Sequence, residues 1–134
     1  MSEDFFKSFF KGNIIIPPDN VRNAFFAKFP DAINVEWVKM DPLYEAIFYE
    51  HETEKIARYT DEGNWIDTKT NLDLIALRPE IRKNAEQSGE IMNSIEIETD
   101  GSVNYEVIVR DKSLNRFLLI MSSNGEINSN NPLD

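Results

Sequence analysis

One set of landmarks appears twice in this chain, in the same order and at nearly the same spacing. Pro18 and Pro79, Ala24 and Ala85, and Tyr44-Glu45-Ala46-Ile47-Phe48 and Tyr105-Glu106-Val107-Ile108-Val109 all stand 61 residues apart. Gly63 and Gly125 follow with a slip of one residue. An internal period of this length points to a repeated supersecondary unit. Each copy opens on a helix. Pro17-Pro18-Asp19 precedes the apolar stripe Val21, Ala24, Phe25 and Phe29, and Phe29-Pro30 ends it. Proline suits a first helical turn, and it disfavours the helical conformation in the residue before it. Pro79-Glu80 opens the second helix over Ile81 and Ala85, and Ser88-Gly89 stops it.

Strands follow each helix. In the first copy they run through Val35-Glu36-Trp37-Val38, Tyr44 to Tyr49, Lys55 to Tyr59, and Trp65-Ile66 after the turn Asp61-Glu62-Gly63-Asn64. In the second they run through Ile95 to Glu98, Val103 to Arg110, Arg116 to Met121 and Glu126-Ile127. A unit of about 60 residues buries little surface alone. The expected fold is therefore α+β: tandem duplicated α-β-β-β(β) units forming one antiparallel sheet, with two helices packed on one face. With 134 residues the chain reads as a single domain, 1–134. Its parts are an N-terminal extension 1–16, repeat one 17–78, repeat two 79–128 and a flexible tail 129–134. The stretch from Asp67 to Arg78 is the candidate joint.

Composition excludes many chemistries. There is no cysteine, so thiolate metal sites, iron–sulfur clusters and cysteine nucleophiles are out, and no cofactor is expected. The single histidine, His51, stands among Glu50, Glu52 and Glu54 and reads as a solvated turn residue. The formal charge of −10 disfavours nucleic acid. No window reaches the roughly 20 apolar residues of a membrane span. The start, Met1-Ser2-Glu3-Asp4, is acidic and lacks a signal peptide's layout. The expectation is cytoplasmic if the chain is native, and periplasmic or secreted if it is a processed form. Phe5, Phe6, Phe9 and Phe10 share one face of a short helix, read as a turn docking on the domain's own core. The Asp-Gly and Asn-Gly segments lack the alternate-ligand spacing of calcium loops and read as hairpin turns.

Several of these segments resemble a known family. Asn23-Ala24-Phe25-Phe26-Ala27-Lys28-Phe29-Pro30-Asp31-Ala32, then Val35-Glu36-Trp37, Tyr44-Glu45-Ala46-Ile47-Phe48 and Tyr59-Thr60-Asp61-Glu62-Gly63-Asn64-Trp65, are similar to the PepSY-like, beta-lactamase-inhibitor-like family. The likeness covers roughly Pro17 to Ile127. It implies a tandem α+β fold with helices on one sheet face, a bacterial and usually exported protein, and no catalysis. Leu77-Arg78-Pro79 departs from the family's Leu-Pro by an inserted arginine.

Alternation assigns the faces. Tyr44, Ala46, Phe48, Val103, Tyr105, Val107 and Val109 should lie under the helices. The opposite face then carries Glu45, Ile47, Tyr49, Glu106, Ile108 and Arg110, with Leu118 and Ile120 beside them and Arg58 as a further polar neighbour. That face is too apolar for a merely wetted sheet. Ile47, Tyr49, Arg58, Glu106, Ile108 and Arg110 are the candidate partner-binding set of a non-catalytic binding or inhibitor-like module, with Ile47, Tyr49 and Ile108 expected to be exposed in the free monomer. The partner is an unidentified protein, an enzyme among the options. The alternatives are a homodimer through the same face, or a small-ligand carrier with a pocket near Trp37 and Trp65.

Overall fold

Val21, Phe25 and Phe29 recur every four residues, and all three are buried. Val21 and Phe25 form the inner stripe of α1 (Asp19–Lys28), and Phe29 caps its end, in a computed structural model that describes residues 14–133. Pro18 precedes the helix in extended conformation. Asp19 sits at its positive end and pairs with Arg22 at 2.8 Å, and Lys28 stands in its last turn. Four strands follow: β1 (Ile33–Met40), β2 (Leu43–Glu50), β3 (Thr53–Tyr59) and β4 (Trp65–Leu72). Then come α2 (Pro79–Glu86), β5 (Glu90–Thr99), β6 (Ser102–Arg110), β7 (Arg116–Ser122) and β8 (Ile127–Pro132). The strands stand in chain order in one eight-stranded antiparallel sheet, giving the α+β class. The chain divides into two compact units, one ending at Thr70 and the other beginning at Asn71.

In the first unit, Phe25 is the hub. Its ring meets Phe48 at 4.9 Å, Trp37 at 5.2 Å and Tyr59 at 6.3 Å, all edge-to-face. Ala46 and Ala57 leave room for the aromatics between them. Aromatic pairs in this geometry add to what their burial alone contributes. In the second unit the core is mainly aliphatic. Leu77, Ile81 and Ala85 pack on Tyr105, Val107, Val109, Leu119 and Met121. Tyr44 and Val103 pack against their respective cores as partly buried residues. The strand residues expected under the helices are therefore found there.

Each unit also ties its last hairpin to its helix. Asn20 Nδ2 donates to the Asp61 carbonyl at 3.0 Å, and Asn84 Nδ2 donates to the Gly125 carbonyl at 2.7 Å. Gly125 has a φ of 93°, and a Cβ there would meet Asn84 Nδ2 at 2.8 Å. The turn needs glycine both for its left-handed backbone and for this approach.

The division between the units, after Thr70, falls inside the candidate joint Asp67 to Arg78, and β4 itself continues to Leu72. Thr68 and Thr70 are buried β-branched residues at period 2, which holds the strand together. The expected flexible tail is instead ordered in part. Residues 129–132 belong to β8, where Ser129, Asn130, Asn131 and Pro132 pair with Ile120, Leu119, Leu118 and Phe117. Their polar composition hid a strand that supplies β7 with backbone partners. The cluster Phe5, Phe6, Phe9 and Phe10 lies outside the described residues.

Candidate binding face

In the first unit, pairing across the sheet sets Val38, Glu45, Arg58 and Asp67 in one row on the face away from α1. Arg58 holds Asp67 with two hydrogen bonds, Nε to Oδ1 at 2.8 Å and Nη2 to Oδ2 at 2.6 Å. This forked geometry suits a guanidinium and a carboxylate. Asp67 is 5% exposed and Glu45 is 7% exposed. Glu45 Oε1 has no hydrogen-bond partner among the described residues. Burial therefore pushes the Glu45 carboxyl above its usual range, against the pull of Arg58 and Lys69. The hydrogen bond to Asp67 holds the Arg58 guanidinium above its ordinary value.

The next row runs Glu36, Ile47, Ile56, Lys69. Here the structure corrects an expectation. Ile47 is 1% exposed, not an exposed interface residue. It lies on an inner strand with Ile56 directly across, and Val38 and Ile56 are buried on the same face. The run Ala46-Ile47-Phe48 is apolar without a break, the pattern of a strand covered on both faces. Tyr49 is partly buried rather than exposed. Arg58 is engaged with Asp67 rather than presented outward.

In the second unit the face away from α2 differs. Glu106, Ile108 and Arg110 alternate along β6, so all three point the same way. Glu106 has Ile95 across from it on β5 and Ile120 across from it on β7, and Ile108 has Leu118. Ile95, Glu106, Ile108, Leu118 and Ile120 are each partly exposed. Ile108 was expected to be exposed and is instead half-buried by these neighbours. Arg110 closes one end of the row and pairs with Glu90 at 3.2 Å. The sequence reading carries Ile95 in a strand without assigning it to this face, although its alternation with Glu96 held the signal.

The remaining candidates serve packing or lie in turns. Trp37 is buried against Phe25. Trp65 donates from Nε1 to Thr68 Oγ1 at 2.9 Å, with Lys28 Nζ 4.0 Å above its ring. His51 occupies the β2–β3 turn with a φ of 51°, its Nε2 3.6 Å from Asp31 Oδ2. Among the described residues no three His, Cys, Asp or Glu side chains gather into a metal-binding group. No helix of the described residues is long and apolar enough to cross a membrane. An open cleft of about 690 Å³ lies in the second unit, lined by Arg78, Glu96, Tyr105, Ser122 and Ser123 among others. In it Tyr105 Oη donates to Glu96 Oε2 at 3.3 Å.

The element order and the sheet define an α+β fold that several solved Bacteroides structures share. A DUF2874 family protein from Bacteroides ovatus matches with a TM-score of 0.80 and 21% identity, over 89% of each chain. A BLIP-like protein from Bacteroides fragilis matches with a TM-score of 0.78 and 18% identity, over 96% of this chain and 92% of its own. A candidate periplasmic protein from Bacteroides eggerthii matches with a TM-score of 0.80 and 15% identity, over 89% and 91%. No family model matches the sequence, and no curated protein matches it.

Proposed function

We propose that the chain is a non-catalytic binding module that meets a protein partner through the β5–β7 face left uncovered by α2. The observation that carries this reading is the half-exposed aliphatic group Ile95, Ile108, Leu118 and Ile120 around Glu106. Aliphatic side chains in the middle of a sheet face gain by being covered, at roughly 25 cal/mol per Å² of apolar surface removed from water. The fold shared with a BLIP-like protein supports a binding role and an inhibitor-like one in particular. The similarity to a candidate periplasmic protein supports an exported location. Of the six residues first assigned to the interface, Glu106 and Ile108 form its centre and Arg110 its rim. Ile47, Tyr49 and Arg58 support the first unit instead. The ligand-carrier reading has less to rest on, because packing and hydrogen bonds already engage Trp37 and Trp65.

The test uses the full chain as bait in a lysate of its native host. The parent is compared with Ile108→Asp and with a control, Arg82→Ala/Lys83→Ala, on the exposed side of α2. A protein held by the parent and the control but lost on Ile108→Asp is the expected result. Ile108→Asp should still unfold within about 1 kcal/mol of the parent, the usual size of a point change. Equal capture by all three baits overturns the reading. A parent that sediments as a dimer, dissociated by Ile108→Asp, would make the face a self-association surface instead.

A further inference from the structure

The two units treat the same carboxylate differently. Glu45 and Glu106 occupy like places, the third residue of β2 and the fifth of β6, each in a Tyr-Glu-x-Ile segment. In the first unit the row reads Val38, Glu45, Arg58, Asp67. In the second it reads Ile95, Glu106, Ile120, Ser129. Isoleucine stands where arginine faced the glutamate, and serine stands where aspartate held that arginine. Glu45 thus has a cation across the strand gap. Glu106 has aliphatic side chains on both sides and makes no hydrogen bond or ion pair among the described residues.

From this we infer that Glu106 is the receptor for a basic side chain of the partner, an arginine by the precedent of Arg58, presented between apolar residues. The inference rests on the binding-face reading above and names the partner's chemistry. Three observations converge on it. A carboxylate ringed by half-buried aliphatics becomes costly once a partner covers it, unless that partner brings a cation with hydrogen bonds. The surrounding Ile95, Ile108, Leu118 and Ile120 match the apolar stem and neighbours of such a residue. The chain's charge of −10 draws basic surfaces toward it and repels acidic ones.

Selection of a random peptide library displayed on phage tests this with the full chain as bait. The selected pool should be enriched in arginine, or lysine, flanked by apolar residues. A synthetic peptide from that pool should bind Glu106→Gln at least 10-fold more weakly than the parent. Replacing its basic residue by citrulline, which keeps the shape and loses the charge, should cost the same on the parent and nothing further on Glu106→Gln. A second variant, Ile120→Arg, places an arginine where Arg58 faces Glu45. It should melt higher than the parent, lose that gain when combined with Glu106→Gln, and bind the peptide weakly. Peptides without a basic residue, equal binding to Glu106→Gln, or no enrichment each overturn the inference. If such peptides are still lost on Ile108→Asp, the binding face stands and only the cation is wrong. If Ile108→Asp changes nothing, the face itself is refuted.

Discussion

Replacing Arg58 by methionine removes the basic side chain directly across from Glu45 and leaves two buried carboxylates on one sheet face. Asp67 and Glu45 are 5% and 7% exposed, so neither can recover its lost partner from bulk water without moving. Removing one member of a buried ion pair typically costs about 3–5 kcal/mol. The Arg58 side chain is itself 30% exposed, which admits some solvent and places the expected loss near the lower end, about 3 kcal/mol. With a urea slope of roughly 1–3 kcal/mol per M, the midpoint should fall by about 1–3 M. Trp37 and Trp65 both belong to this unit, so their fluorescence follows its unfolding directly. The companion variant replaces the whole ionic group by apolar residues: Glu45→Leu, Arg58→Met and Asp67→Val together. Replacing a whole buried ionic group by well-packed apolar residues of similar volume is often neutral or stabilising. The triple variant should therefore unfold at or above the urea concentration of the parent. A single Arg58→Met change that costs less than about 0.5 kcal/mol, within the range of ordinary surface changes, would refute the reasoning.

Phe25→Ala should cost about 3–5 kcal/mol, since it empties the hub of the aromatic core, and an unchanged urea midpoint would contradict that packing. Glu45 holds its proton more tightly folded than unfolded, so its contribution to stability is full below the unfolded value of 4.5 and is lost as pH rises through the folded one. Glu45→Gln should accordingly raise the melting temperature relative to the parent at pH 7.5, and the gain should shrink toward pH 4. Burial pushes the Tyr59 hydroxyl up to about 12, so folding is opposed increasingly as pH rises from 10 toward 12, where the unfolded chain ionises first. Tyr59→Phe should therefore lose less stability than the parent between those pH values, and parallel losses would show that Tyr59 is not protected.

The helix faces and the strand faces beneath them were legible because their signals are local. Val21, Phe25 and Phe29 mark one side of α1, and Tyr105, Val107 and Val109 alternate along β6. Turn residues such as Gly63 and Gly125 punctuated the strands for the same reason. The opposite face was legible only in part. Alternation alone places Ile47 and Ile108 alike, yet one is buried and the other is half-exposed. The difference is not in the facing residue, since Ile47 faces Ile56 and Ile108 faces Leu118; it lies in how far each sheet face is covered, which alternation does not encode. The Arg58–Asp67 pair was hidden likewise, because register brings together residues whose types alone suggest an exposed surface. β8 was legible only at its start, Glu126-Ile127, because Asn and Ser are poor strand formers and only the demand of β7 for backbone partners makes a strand of them.

That same β8 bears on how the protein stays dispersed. It is the final strand in the sheet order, and its inner neighbour is the continuous run Phe117-Leu118-Leu119-Ile120-Met121. An unpaired strand of that composition would be a template for pairing with other chains. β8 occupies its free hydrogen-bonding side with Asn128, Ser129, Asn130 and Asn131, and closes on Pro132, which has no N–H to offer. The outermost ribbon is thus uncharged, hydrophilic and blunted at one end. It acts as a selvedge that keeps the woven sheet from being extended by a neighbour.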